Sequence, residues 1–176
     1  MRKKPELAIV PEDHSFSINS EEELMNTFDK KDQLRVLLPE GQTYPVNAQH
    51  YLAWRESSGN YVYMVFKKPK WKKPMGLVFK RPTSGAELTG ARHCDWCLSY
   101  GSSNQVSMLG LKLNSRQSLG ILLCTDLNCA SRLEAAADLS GKSFEKLIGQ
   151  LYERIGKLYD TVIKSSGEDS FLNEMQ

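Results

Sequence analysis

The chain has 176 residues, a quarter of them charged, and a net charge of only +2 at pH 7. That length suits one medium domain with a real core, and the apolar share is ordinary for a soluble globular protein. The even charge balance excludes a globally basic nucleic-acid binder and leaves local clusters to be read.

The chain opens MRKKPELAIVPED. Its apolar run, LAIV, is far short of the roughly 7–15 residues of an export signal, and no stretch approaches the roughly 18 of a membrane span. Residues 1–14 are therefore expected to be a disordered lead-in, and the protein to be cytoplasmic, with no membrane partner. Ser20-Glu21-Glu22-Glu23 forms a capping-box pattern, and Leu24, Met25 and Phe28 follow at helical spacing, which predicts a helix over about 21–31. LRVLL at 34–38 reads as a strand stopped by Pro39-Glu40-Gly41.

The middle is β-rich. Residues 50–55, 61–66 and 75–80 carry aromatic and β-branched side chains, and Ser57-Ser58-Gly59-Asn60 supplies a turn. KKPKWKKP at 67–74 joins the next pair, its prolines excluding a strand interior. Further strands are expected at about 105–113 and 119–123. An Ala- and Leu-rich helix is expected over 125–137. Phe144, Leu147, Ile148, Leu151, Ile155, Leu158 and Val162 then trace one face of a long amphipathic helix that packs on the core. A polar tail over 165–176 completes the chain, with 15–164 expected to be a single domain.

The four cysteines follow C-x2-C-x26-C-x4-C: Cys94, Cys97, Cys124 and Cys129. A reducing compartment argues against disulfides. The short C-x2-C lets two thiolates converge on one ion from a tight knuckle, and a second close pair completes a tetrahedron. Cys124 ends a strand, and Cys129 falls in the first turn of a helix, where free N–H groups and the helix dipole favour a thiolate. Knuckle, hairpin and ligand-bearing helix describe a treble-clef-like finger holding one structural Zn2+; four buried free thiols are the other reading. His93 is expected beside the site or at the surface rather than as a ligand. A four-cysteine set leaves no coordination position for water, whereas catalytic zinc keeps one. No G-x-S-x-G, H-E-x-x-H or phosphate-cradling glycine loop is present, and His14, His50 and His93 are scattered. No enzyme and no small-molecule substrate are expected.

HCDWC followed by LGILLCTDLNCASRL resembles the C-terminal domain of the elongation factor G-binding, FusB-type fusidic-acid-resistance proteins, with Gly120, Cys124, Asp126 and Cys129 matching. FSINSEEELMNTF, Ala53-Trp54 and YVYMVF…MGLVFKR extend the resemblance to about residues 15–165. Leu122 stands where that family has an aromatic residue. The helical bundle that precedes this domain in the resistance proteins is not expected here, the chain being similar to shorter relatives without it. The resemblance implies an α+β fold: an antiparallel sheet with a short opening helix, a four-cysteine treble clef and a long C-terminal amphipathic helix. It also implies binding to elongation factor G and modulation of its release from the ribosome. Side chains flanking metal ligands are held rigid, so His93, Trp96 and Leu122 are expected contacts, with Trp96 as core beneath the knuckle the competing reading.

Residues 67–81 hold Lys67, Lys68, Lys70, Lys72, Lys73, Lys80 and Arg81 with no acid, and Trp71 lies among them. Such a loop suits an acidic protein surface, or RNA phosphates with Trp71 stacking a base. A solubilising turn is the plainer reading. The alternative function is therefore a zinc-finger RNA- or ribosome-binding protein that uses 67–81.

Overall fold

Tyr61–Phe66 and Met75–Lys80 are strands over the ranges that their aromatic and β-branched residues predict. They lie at the centre of an α+β fold in the computed structural model, which describes residues 13–82 and 90–166. In chain order the elements begin with β1 (Phe16–Ile18), α1 (Glu21–Met25), α2 (Lys30–Gln33), β2 (Val46–Ala48) and β3 (Leu52–Arg55). The central pair, β4 and β5, comes next, followed by β6 (Arg92–His93), β7 (Tyr100–Gly101), β8 (Val106–Lys112) and β9 (Ser118–Cys124). Two helices, α3 (Cys129–Ser140) and α4 (Phe144–Ser166), complete the described chain. The main sheet is antiparallel with order β3-β4-β5-β8-β9; β1-β2 and β6-β7 are separate two-stranded ribbons.

Successive strand residues point to opposite faces. Val62, Met64 and Phe66 of β4, with Met75, Leu77 and Phe79 of β5, enter one core together with Trp96, the four cysteines and the buried stripe of α4. Tyr63, Val65 and Val78 enter a second core with Phe16, Ile18, Leu24, Phe28 and Val36. Both faces are covered, which is why residues 62–66 are all buried. The expected stripe of α4 is inside, and Tyr152 and Tyr159 join it. Tyr159 lies fully buried against Phe66 and donates to the Met75 carbonyl (3.0 Å). Gly141, at φ 66°, takes the left-handed position that ends α3 and lets the chain turn into α4.

Three local expectations are corrected. The helix over 21–31 is two short helices. The Thr27 carbonyl, which a continuing helix would give to residue 31, instead accepts from Gly76 N–H (2.7 Å), while the Asp29 carboxylate caps Lys31 N–H. LRVLL is not a strand: the Arg35 and Leu37 carbonyls accept from Tyr63 Oη–H and Trp54 Nε1–H, and Leu34 is 90% exposed. The helix expected from 125 begins at Cys129, because 125–128 form the turn that joins the two C-terminal ligands. The ribbon β1-β2 was not anticipated.

At the ends, His14 is buried: its ring lies 3.9 Å from that of Tyr152, and its Nδ1 donates to the Lys67 carbonyl (2.8 Å). Order therefore reaches into the expected lead-in. Helix α4 runs to Ser166, two residues past the expected boundary; the rest of both expected disordered ends lies outside the described residues.

Gly76 is required by close approach. A Cβ there would stand 2.4 Å from Phe28 Cδ1, inside the second core. Gly76→Ala is expected to cost about 1–3 kcal/mol through displacement of the Phe28 ring, read as a lowered urea midpoint with an unchanged m-value.

Candidate metal centre

The first two cysteines sit on a knuckle closed by its own backbone. Cys94 N–H donates to the Ser99 carbonyl (3.0 Å), Leu98 N–H donates to the Cys94 carbonyl (2.9 Å), and β6 and β7 pair His93 with Tyr100 just outside. Leu98 takes φ 60° to complete the turn. Asp95 docks the knuckle on β9: its N–H donates to the Leu122 carbonyl (2.7 Å), and its carboxylate accepts from Leu122 N–H (2.9 Å). Beneath it, Trp96 is 1% exposed, edge-on to Phe79 at 6.2 Å, and its carbonyl accepts from the Arg154 guanidinium of α4.

The other two ligands are brought up by β9 and α3. Cys124 is the last residue of β9, and Cys129 the first of α3. Between them Leu127 adopts φ 51° with its side chain fully buried. Two devices hold this turn. The Asp126 carboxylate accepts from Asn128 N–H (3.0 Å) and from both terminal nitrogens of Arg132 (2.8 and 2.9 Å). The Tyr51 hydroxyl donates to the Leu127 carbonyl and accepts from Ala130 N–H (3.2 Å), one of the free amides of the first turn of α3. Burial drives the Tyr51 pKa above the usual phenol range, so it remains a donor. Sequence reading found Asp126 as a matching position without its role, and missed Tyr51, whose partner lies 76 residues away.

All four sulphurs are buried and lie within 4.8 Å of one another, with Cys94–Cys129 at 3.7 Å and Cys97–Cys124 at 3.6 Å. Sulphurs about 2.3 Å from a tetrahedral ion stand about 3.8 Å apart, so these separations fit zinc. The Ser99 hydroxyl lies 3.0 Å from Cys97 Sγ and can donate to that thiolate. The four thiols titrate as one coupled group: their mutual hydrogen bonds lower the pKa values of the Cys94 and Cys97 thiols and raise those of Cys124 and Cys129. The four thiols form no disulfide. His93 is no ligand: it is exposed, its Nδ1 donates to the Leu98 carbonyl (3.0 Å), and its ring packs on Tyr100.

The other predicted contacts separate. Leu122 is half-buried at the margin of the knuckle, whereas Trp96 is core and offers no surface. The lysine loop is pinned to α4: Lys68 pairs with Asp160 (2.5 Å), and Trp71 packs on Tyr159 and Phe66, so Trp71 serves as a brace rather than a free stacking platform. Lys70, Lys72 and Lys73 are exposed. The expected 67–81 patch is divided by β5, which carries Lys80 and Arg81 to the far end, about 17 Å from Met75 at 3.4 Å per residue.

A knuckle, a hairpin and a helix start that together supply four cysteines define a treble-clef domain. The chain belongs to the FBP C-terminal treble-clef zinc-finger family, whose profile matches residues 22–164; the FusB-type resemblance is consistent with it. No curated protein and no solved structure matches the chain at a significant level. Among the described residues, no helix is long and apolar enough to cross a membrane.

Proposed function

We propose that this protein is a non-catalytic binding module that holds one structural zinc on Cys94, Cys97, Cys124 and Cys129 and binds elongation factor G through the outer face of the knuckle. The observation that carries the reading is an exposed apolar row on a part of the chain that zinc makes rigid. Tyr100 is 71% exposed and Leu98 55%, with His93 beside them. Met108 and Leu122 face each other across β8 and β9 at its edge. Rigid exposed aromatic and aliphatic side chains lose little entropy on docking and make good anchors. Four thiolate ligands fill the tetrahedron, which supports a structural rather than catalytic ion. Family membership supports the choice of partner, and a cytoplasmic location follows from it.

The test is size-exclusion co-elution with purified elongation factor G. Wild type is expected to co-elute. The H93A/L98A/Y100A variant is expected to bind at least about tenfold more weakly, with unchanged zinc content and only a small drop in melting temperature from the lost His93–Leu98 hydrogen bond and His93–Tyr100 contact. Retained binding by the variant would reject the face; no binding by wild type would reject the partner.

A further inference from the structure

The topology gathers positive charge that is dispersed in the sequence. Strands β5 and β8 are antiparallel with Phe79 opposite Leu111, so the hairpin tip at 67–74 and the β8-β9 turn at 113–117 lie at the same end of the sheet. Helix α4 ties both down. Lys68 Nζ meets Asp160 Oδ1 at 2.5 Å, and Asn114 Nδ2 donates to the Ser165 carbonyl at 3.2 Å. Asp160 and Ser165 are separated by about 7.5 Å along the helix axis. Exposed Lys70, Lys72 and Lys73 are thereby grouped with exposed Arg116 and with exposed Lys164 near the end of α4.

The acid of α4 at this end is already engaged, since Asp160 is taken by Lys68. Among the described residues, no salt bridge involves Lys70, Lys72, Lys73, Arg116 or Lys164.

We propose that this end is a second binding surface, separate from the knuckle, for the phosphodiester backbone of a nucleic acid. A protein interface needs an apolar or aromatic centre and is poor in lysine. The exposed large apolar side chains of the described residues (Leu34, Leu37, Leu98, Tyr100, Met108 and Leu139) all lie outside 67–74, 113–117 and α4. What remains is a set of cations on braced loops, which suits phosphate contacts. Trp71 is held by Tyr159 and Phe66, and no large exposed aromatic side chain among the described residues lies at this end, so binding is expected to be independent of base identity. The inference stands whether or not the partner assigned to the knuckle is correct.

The experiment is fluorescence anisotropy with labelled oligouridylate, oligoadenylate and oligothymidylate across a salt series, with polyglutamate as competitor. Wild type is expected to bind all three alike, with log K falling linearly in log salt. The K70Q/K72Q/K73Q/R116Q variant is expected to lose at least tenfold in affinity at low salt. Its slope should be shallower by about 0.7 for each phosphate contact removed. The K80Q/R81Q variant, altered at the opposite end, is expected to stay within twofold of wild type. Should the fourfold variant fold poorly, K72Q and R116Q singly are expected to show the same slope change in smaller steps. No oligonucleotide binding by wild type, equal loss in K80Q/R81Q, or a strong base preference would overturn the proposal. Competition by polyglutamate as effective as by oligonucleotide would overturn it in favour of an acidic protein surface.

Discussion

Cys97→Ser is expected to unfold the C-terminal half of the protein, seen as loss of bound zinc, collapse of the cooperative thermal transition and loss of near-ultraviolet ellipticity. A serine hydroxyl stays protonated at neutral pH and is a poor zinc ligand, so the ion is held by three thiolates. Metal-binding energy in such sites is folding energy, of order 10–16 kcal/mol in small zinc peptides. Here the ion would tie together three pieces, the knuckle, the end of β9 and the start of α3, which otherwise meet through the Asp95, Asp126 and Tyr51 hydrogen bonds and the packing of Trp96. The four cysteines are themselves part of the main core, so losing the ion also exposes Trp96, Leu123 and Leu127. The N-terminal core around Ile18, Leu24 and Tyr63 does not contain them and is expected to be less affected. A Cys97→Ser protein with wild-type melting would contradict this.

Trp96→Ala is the second large effect, expected to destabilise by about 3–5 kcal/mol. Trp96 is the largest fully buried side chain, stands edge-on to Phe79, and fills the space between the knuckle and the sheet. A binding anchor behaves differently: its truncation weakens the complex and leaves the free protein's stability nearly unchanged. Denaturant titration of Trp96→Ala beside H93A/L98A/Y100A separates the two roles. A stability loss under about 1 kcal/mol at Trp96 would return it to the partner face.

What the sequence revealed and concealed follows from the range of the forces involved. The two central strands and the stripe of α4 were legible because local periodicity and composition set them. The metal site was legible because cysteine spacing encodes convergence directly: Cys124 does end a strand and Cys129 does begin a helix. The three-residue strands β1 and β2 were not, since neither has a local signal and each depends on a partner about 30 residues away. LRVLL carries strand composition, yet Tyr63 and Trp54 take its carbonyls, a competition no window of sequence contains. The lysine run misled for the opposite reason. Residues adjacent along a strand are carried apart in space, so Lys80 and Arg81 left the cluster, while Arg116 entered it through the β8-β9 turn.

The most direct test is metal content against thiol titration on protein purified without added metal. Elemental analysis is expected to give one zinc per chain, released in step as an organomercurial titrates four thiolates, with the thermal transition lost at the same point. A metal-free protein that melts unchanged, or zinc whose release leaves the fold intact, would contradict a structural metal centre on Cys94, Cys97, Cys124 and Cys129.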